Sequence, residues 1–146
     1  MKNHFKLLFT GKNRLITWML ILLGVLAIAI VLATGTGDFG PMGMFTLYAG
    51  ATLLIAAFFH VWEKWKYYLF LFVVSLIGVP FFILLHNVFY GLSELYPGAW
   101  YTGVFQAMEG FTFVLAVIVF PPAVIVGLAG SIIFYVREKR SGQSVT

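Results

Sequence analysis

The sequence predicts an all-α integral membrane protein, a four-transmembrane-helix bundle with both termini cytoplasmic. Three observations carry that prediction. Of 146 residues only 10% are charged and 62% are hydrophobic, with a mean hydropathy of +1.00, whereas soluble domains are about 25% charged. Four runs free of Asp, Glu, Lys and Arg fill most of the chain: Leu15 to Gly37, Phe39 to Trp62, Tyr67 to Ser93 and Gly110 to Val136. All nine Lys and Arg then fall on a single side of those runs.

A helix rises about 1.5 Å per residue, so roughly 20 residues cross a hydrocarbon core of about 30 Å. The expected spans are 15–34, 42–62, 67–90 and 108–136, within one domain covering 1–146. None shows the alternation of a barrel strand, and in lipid a helix satisfies its own backbone.

The first span follows Lys2, Lys6, Lys12 and Arg14, which resemble the basic leader of a secretory signal. Its apolar stretch from Leu15 to Ala33 exceeds the about 7–15 residues of a signal core, so it reads as a retained membrane helix. The link to the second span, residues 35–41, is Gly-rich and reads as a flexible turn. Spans two and three are separated by Glu63-Lys64-Trp65-Lys66 alone, and so short a link predicts a tight antiparallel hairpin. The connection 91–107 is the only external stretch long enough to hold structure, with a turn at Pro97-Gly98. Residues 141–146 form a short polar tail.

Lys64, Lys66, Arg137, Lys139 and Arg140 lie on the same side as the N-terminal cations, whereas Asp38, Glu94 and Glu109 lie on the other. The positive-inside rule assigns the basic side to the cytoplasm of a cell-membrane protein. Aromatic residues agree: Trp18, Trp62, Trp65, Tyr67, Tyr68 and Tyr135 fall near the inner interface, and Tyr90, Tyr96, Trp100 and Tyr101 near the outer one.

Small residues recur at helical spacing, which permits close backbone approach in lipid. They are Gly24 with Ala27 and Ala29 with Ala33, then Thr46, Ala49 and Gly50, Ser75 with Gly78, and Gly127, Gly130 and Ser131. Packing within the bundle is the plainer use of these stripes. A second copy or a larger membrane complex is the sharper one.

Three prolines mark hinge candidates. Pro121-Pro122 remove two amide donors and free the carbonyls of Val117 and Ile118, about 17 Å below Gly110. Pro80 lies about 20 Å from the inner end of its span, at a comparable depth. Either the breaks are static kinks, or they are hinges whose loose carbonyls line an ion or substrate path.

Two histidines fall inside spans. His60, followed by Glu63 and Lys64 on the same helix face, reads as an interfacial side chain satisfied by those neighbours or by headgroups. His86 lies about 6 Å inside the outer end of its span. With Asn87, Gln106 and Glu109 it forms a candidate polar cluster that either locks two spans together or relays a proton. One His and one Glu fall short of a zinc site, and the spacing matches no metalloenzyme motif, so no metal is assigned. Nor is a cofactor: His60 and His86 are roughly 30 Å apart along the chain, which removes a shared haem within one copy.

The chain has no cysteine, which excludes thiol catalysis and thiolate metal sites. Nine cations, for a net charge of +4, are too few for a nucleic-acid-tracking surface. Phosphate-loop, nucleophile-elbow and His-Glu-x-x-His patterns are absent, and no catalytic residue is assigned. The expected function is that of a non-enzymatic accessory or structural subunit, or a self-associating bundle. The alternative is an oligomeric channel or an ion-coupled transporter that uses His86, Glu109 and the three prolines.

Overall fold

The computed structural model describes residues 6–33 and 41–143. The expected Gly-rich turn at 35–41, with Asp38, lies almost wholly outside that range, as do Lys2 and residues 144–146. Among the described residues the chain is helical apart from short links, and four helical rods are long and apolar enough to cross a membrane.

The first rod is α1, Gly11–Ala33, and the second is α2, Pro41–Phe59. The third, α3, runs from Trp65 to Leu95 and so continues past the end of the apolar run. The fourth rod joins three pieces: α4 (Thr102–Phe113), a π-helical turn (Val114–Val119) and α5 (Phe120–Gln143). Residues 141–143, the described part of the tail expected from Ser141 onward, are thus still helical.

The π turn has a direct cause in Pro121-Pro122. Neither proline can donate, so two α-type hydrogen bonds ahead of them cannot close. The Phe120 N–H instead donates to the Leu115 carbonyl, five residues back. Widening the turn gives the backbone another pairing just before the donors run out.

Glycines decide which rods meet closely. A Cβ on Gly24 would lie 2.9 Å from the Gly50 carbonyl oxygen, and one on Gly50 would lie 2.9 Å from that of Gly24, so α1 and α2 are in near backbone contact. A Cβ on Gly127 would lie 2.5 Å from the Phe72 backbone nitrogen. Gly130 accommodates the Tyr68 ring, and Gly78 lies against Phe120. These pairs fix an antiparallel register between α3 and the fourth rod. Ala29, Ala33 and Ala49, by contrast, face outward.

The packing differs from the expected hairpin. α1 packs along α2, α2 packs on α5 and the π turn, and α3 packs along the whole fourth rod. α2 and α3 meet only near the basic end, where the Tyr68 hydroxyl donates to the Phe59 carbonyl (2.8 Å) and Trp62 touches Tyr67 and Tyr68. A four-residue link ties two helix ends together but does not bind their lengths. The glycines on α3 and α5 give α3 a closer partner than α2 provides.

The 91–107 connection is mostly helix, reduced to a tight turn around Pro97 and Gly98, whose φ is +82°. Thr102 Oγ1 donates to the Tyr96 carbonyl (2.6 Å), and Tyr96, Trp100, Tyr101 and Phe105 form a connected ring cluster.

Candidate functional site

The His86 region is built where α3 passes α4. His86 is half-buried, with its ring 5.4 Å from that of Phe113. Its Nδ1 lies 3.2 Å from the backbone carbonyl of Glu109. A carbonyl only accepts, so Nδ1 carries the ring proton in this arrangement. The same carbonyl accepts from Thr112 Oγ1 (2.9 Å), which also reaches the Met108 carbonyl (2.8 Å).

This geometry revises the expected four-residue cluster. His86 and Glu109 do meet, but through the peptide oxygen of Glu109 and not its carboxylate. Asn87 and Gln106 are exposed. A one-residue step turns a helix by about 100°, which carries Asn87 off the face that His86 presents to α4. The arrangement is an interhelical hydrogen bond with an aromatic backing.

At the proline depth the seam is closed. The Phe120 ring covers Gly78 and stacks on Phe82 with centroids 5.2 Å apart. Pro122, Ala116 and Ala123 are buried, and Pro121 is half-buried. Pro80 sits in an unbroken stretch of α3 and faces outward, away from the other two prolines.

His60 has different partners from those expected. Its Nδ1 lies 2.9 Å from the Ala57 carbonyl and its Nε2 lies 3.5 Å from Thr17 Oγ1, not against Glu63 or Lys64. Thr17 is buried, and its hydroxyl lies 2.7 Å from the Leu8 carbonyl and 2.8 Å from that of Asn13. One proton serves both acceptors. The node therefore ties residues near Leu8, the start of α1 and the end of α2 at one point. Thr17 was legible in principle, because it is the lone hydroxyl between Leu15 and Ala33, and an isolated polar group in an apolar run needs a partner.

The basic ends of the rods converge. Thr17 meets His60, and the Trp65 ring packs edge-on against Tyr135 at 5.6 Å, so the start of α1, the 63–66 link and the end of α5 share one end. Between that link and α5 lies a recess of about 610 Å³ whose lining includes Lys64, Lys66, Arg137, Glu63 and Glu138. A second recess of about 380 Å³ adjoins it beside Tyr135 and Lys139. Among the described residues no group of three His, Asp or Glu side chains gathers where it could hold a metal ion.

Comparison of the chain with protein-family models, curated proteins and solved structures finds no match.

Proposed function

We propose that the chain is a non-catalytic multi-pass protein of the cell membrane, with both termini cytoplasmic. It acts as a structural or accessory subunit of a larger membrane assembly, or as a self-associating bundle. The closed seam at the proline depth carries this reading: Phe120 occupies the place where a permeation path between α3 and the fourth rod would run. The outward surface supports it. Only 17% to 33% of the most apolar window of each span is buried within the chain, leaving a large apolar surface for lipid or another helix. The one-sided gathering of cations supports the assigned orientation.

One observation favours the alternative channel or transporter built on His86, Glu109, Pro80, Pro121 and Pro122. A π turn beside two prolines is irregular backbone at membrane depth, a feature found often at functional sites. The two readings separate by thiol labelling, which is clean because the chain has no cysteine. Ala116→Cys and Ala123→Cys are expected to resist a membrane-impermeant maleimide in native membranes, while Pro97→Cys in the turn is labelled. Labelling of either seam position would overturn the closed-seam reading in favour of a water-filled path. Mass measurement in native-lipid nanodiscs tests the assembly itself: a homo-oligomer or hetero-complex is expected, and a solitary monomer refutes it.

A further inference from the structure

The recess at the basic end has no part in the assembly reading above, and its lining points to a ligand of definite chemistry. Lys64 and Lys66 come from the link and first turn of α3, and Arg137 comes from α5, so two separate elements contribute three cationic residues to the lining of one cavity. Two carboxylates, Glu63 and Glu138, share the lining, which leaves an excess of one positive charge. Among the described residues no ion pair joins those cations to the carboxylates. A volume of about 610 Å³ falls within the range of about 300–1,000 Å³ of small-molecule sites. Three positive groups around such a space are suited to a phosphate group, with the Arg137 guanidinium able to donate two parallel hydrogen bonds.

The surroundings identify the carrier of that phosphate. Trp65 lines the recess, Tyr135 packs on Trp65, and both are rings of the kind that settle at headgroup level. Phe134, one turn before Arg137 and Glu138 on α5, also lines the recess, so its wall passes from charged to apolar toward the membrane-spanning part of the helix, where an acyl chain can follow. A free phosphate ion has no use for that apolar continuation, whereas a phospholipid does.

We infer that the recess between the 63–66 link and the C-terminal part of α5 binds the phosphate-bearing headgroup of an anionic phospholipid, held by Lys64, Lys66 and Arg137. The inference depends on the rods spanning a bilayer but not on whether the chain assembles. It also assigns the link a role beyond connecting two helices: the link supplies two of the three cations.

The test is native mass spectrometry of the full chain in a neutral detergent, titrated separately with phosphatidylglycerol, phosphatidylcholine and inorganic phosphate. One phosphatidylglycerol is expected to be retained, at least about tenfold more tightly than phosphatidylcholine. In the triple variant Lys64→Gln, Lys66→Gln, Arg137→Gln its affinity falls by about a hundredfold, since each cation near an anionic lipid surface contributes a factor of roughly five. A control triple variant, Lys6→Gln, Lys12→Gln, Arg14→Gln, removes the same charge from the same end but outside the recess, and is expected to change affinity by less than about threefold. Helix content and thermal midpoint, read alongside, are expected to match the wild type in both variants, because the replaced side chains are exposed. Equal losses in the two variants would mean diffuse attraction and overturn the site, as would retention of the lipid by the recess variant. A collapsed recess variant passes the test to Arg137→Lys, which keeps the charge and is expected to weaken binding; unchanged binding there overturns the role of Arg137. Binding of inorganic phosphate that displaces the lipid would identify a soluble-phosphate site and overturn the lipid proposal.

Discussion

Replacing Gly127 by alanine tests the seam that positions α3 against the fourth rod. The new Cβ would lie 2.5 Å from the Phe72 nitrogen, 2.8 Å from its Cα and 3.0 Å from its Cβ. Two of those three atoms are backbone, so no rotamer change can relieve the contact. Reaching an ordinary 3.4 Å requires the two helices to part by about 0.9 Å along that line. Overpacking of this kind costs about 1–3 kcal/mol, against which alanine recovers up to about 1 kcal/mol of helix propensity. Gly110→Ala supplies the reference, since nothing lies within 4 Å of a Cβ there and only the propensity gain applies. The difference between the two variants therefore isolates the clash. It corresponds to a factor of about 5 to 140 in the folding equilibrium. Reversible unfolding in mixed micelles, followed by loss of helical circular dichroism, measures it. If the two variants agree within about 0.5 kcal/mol, the close approach of α3 and α5 is refuted, because no separation of the seam would then have been needed.

The remaining predictions concern the two histidine contacts. Because His86 donates to the Glu109 peptide oxygen, Glu109→Gln is expected to leave stability almost unchanged. His86→Ala is expected to cost about 0.6 kcal/mol, and at most about 1.7, the range for hydrogen bonds between membrane helices. Equal losses would instead place the carboxylate in the contact. At the other end, Thr17→Val keeps the shape of the side chain but removes the proton shared between the Leu8 and Asn13 carbonyls. Cleavage by trypsin after Lys6 and Lys12 is expected to quicken several-fold in that variant, and an unchanged cleavage rate would remove Thr17 as the tie holding Leu8 down.

The spans were readable because hydropathy is a local property: each expected span falls largely on a helical rod, although α2 stops at Phe59, three residues short of the expected end at 62. The small residues were also readable as packing sites, and Gly24, Gly50, Gly78, Gly127 and Gly130 all lie in close contacts. Which glycine meets which helix is a different kind of information. Link length suggested that α2 pairs with α3, yet the stripe on α5 competes for α3 from a distance that no local window covers. His60 went astray for the same reason. Its neighbours in sequence, Glu63 and Lys64, lie beyond the helix end, and the partner within reach is Thr17, on α1. At His86 the contact with Glu109 runs through a main-chain oxygen, which a sequence, naming side chains alone, does not reveal. The prolines announced two missing donors, but nothing local says that the chain absorbs the loss by widening a turn.

Chain order adds a consequence for biogenesis. α1 and α2 lie next to each other in the sequence and can close their glycine crossing as soon as both have emerged. α3 finishes at Leu95, while the glycine that receives Tyr68 is Gly130. At translation rates of about 5–20 residues per second, α3 waits roughly 2–7 seconds for the surface it fits. Throughout that delay Ser75 and Gly78 are presented to lipid or to the insertion machinery, so α3 is the rod exposed to premature pairing with a foreign helix.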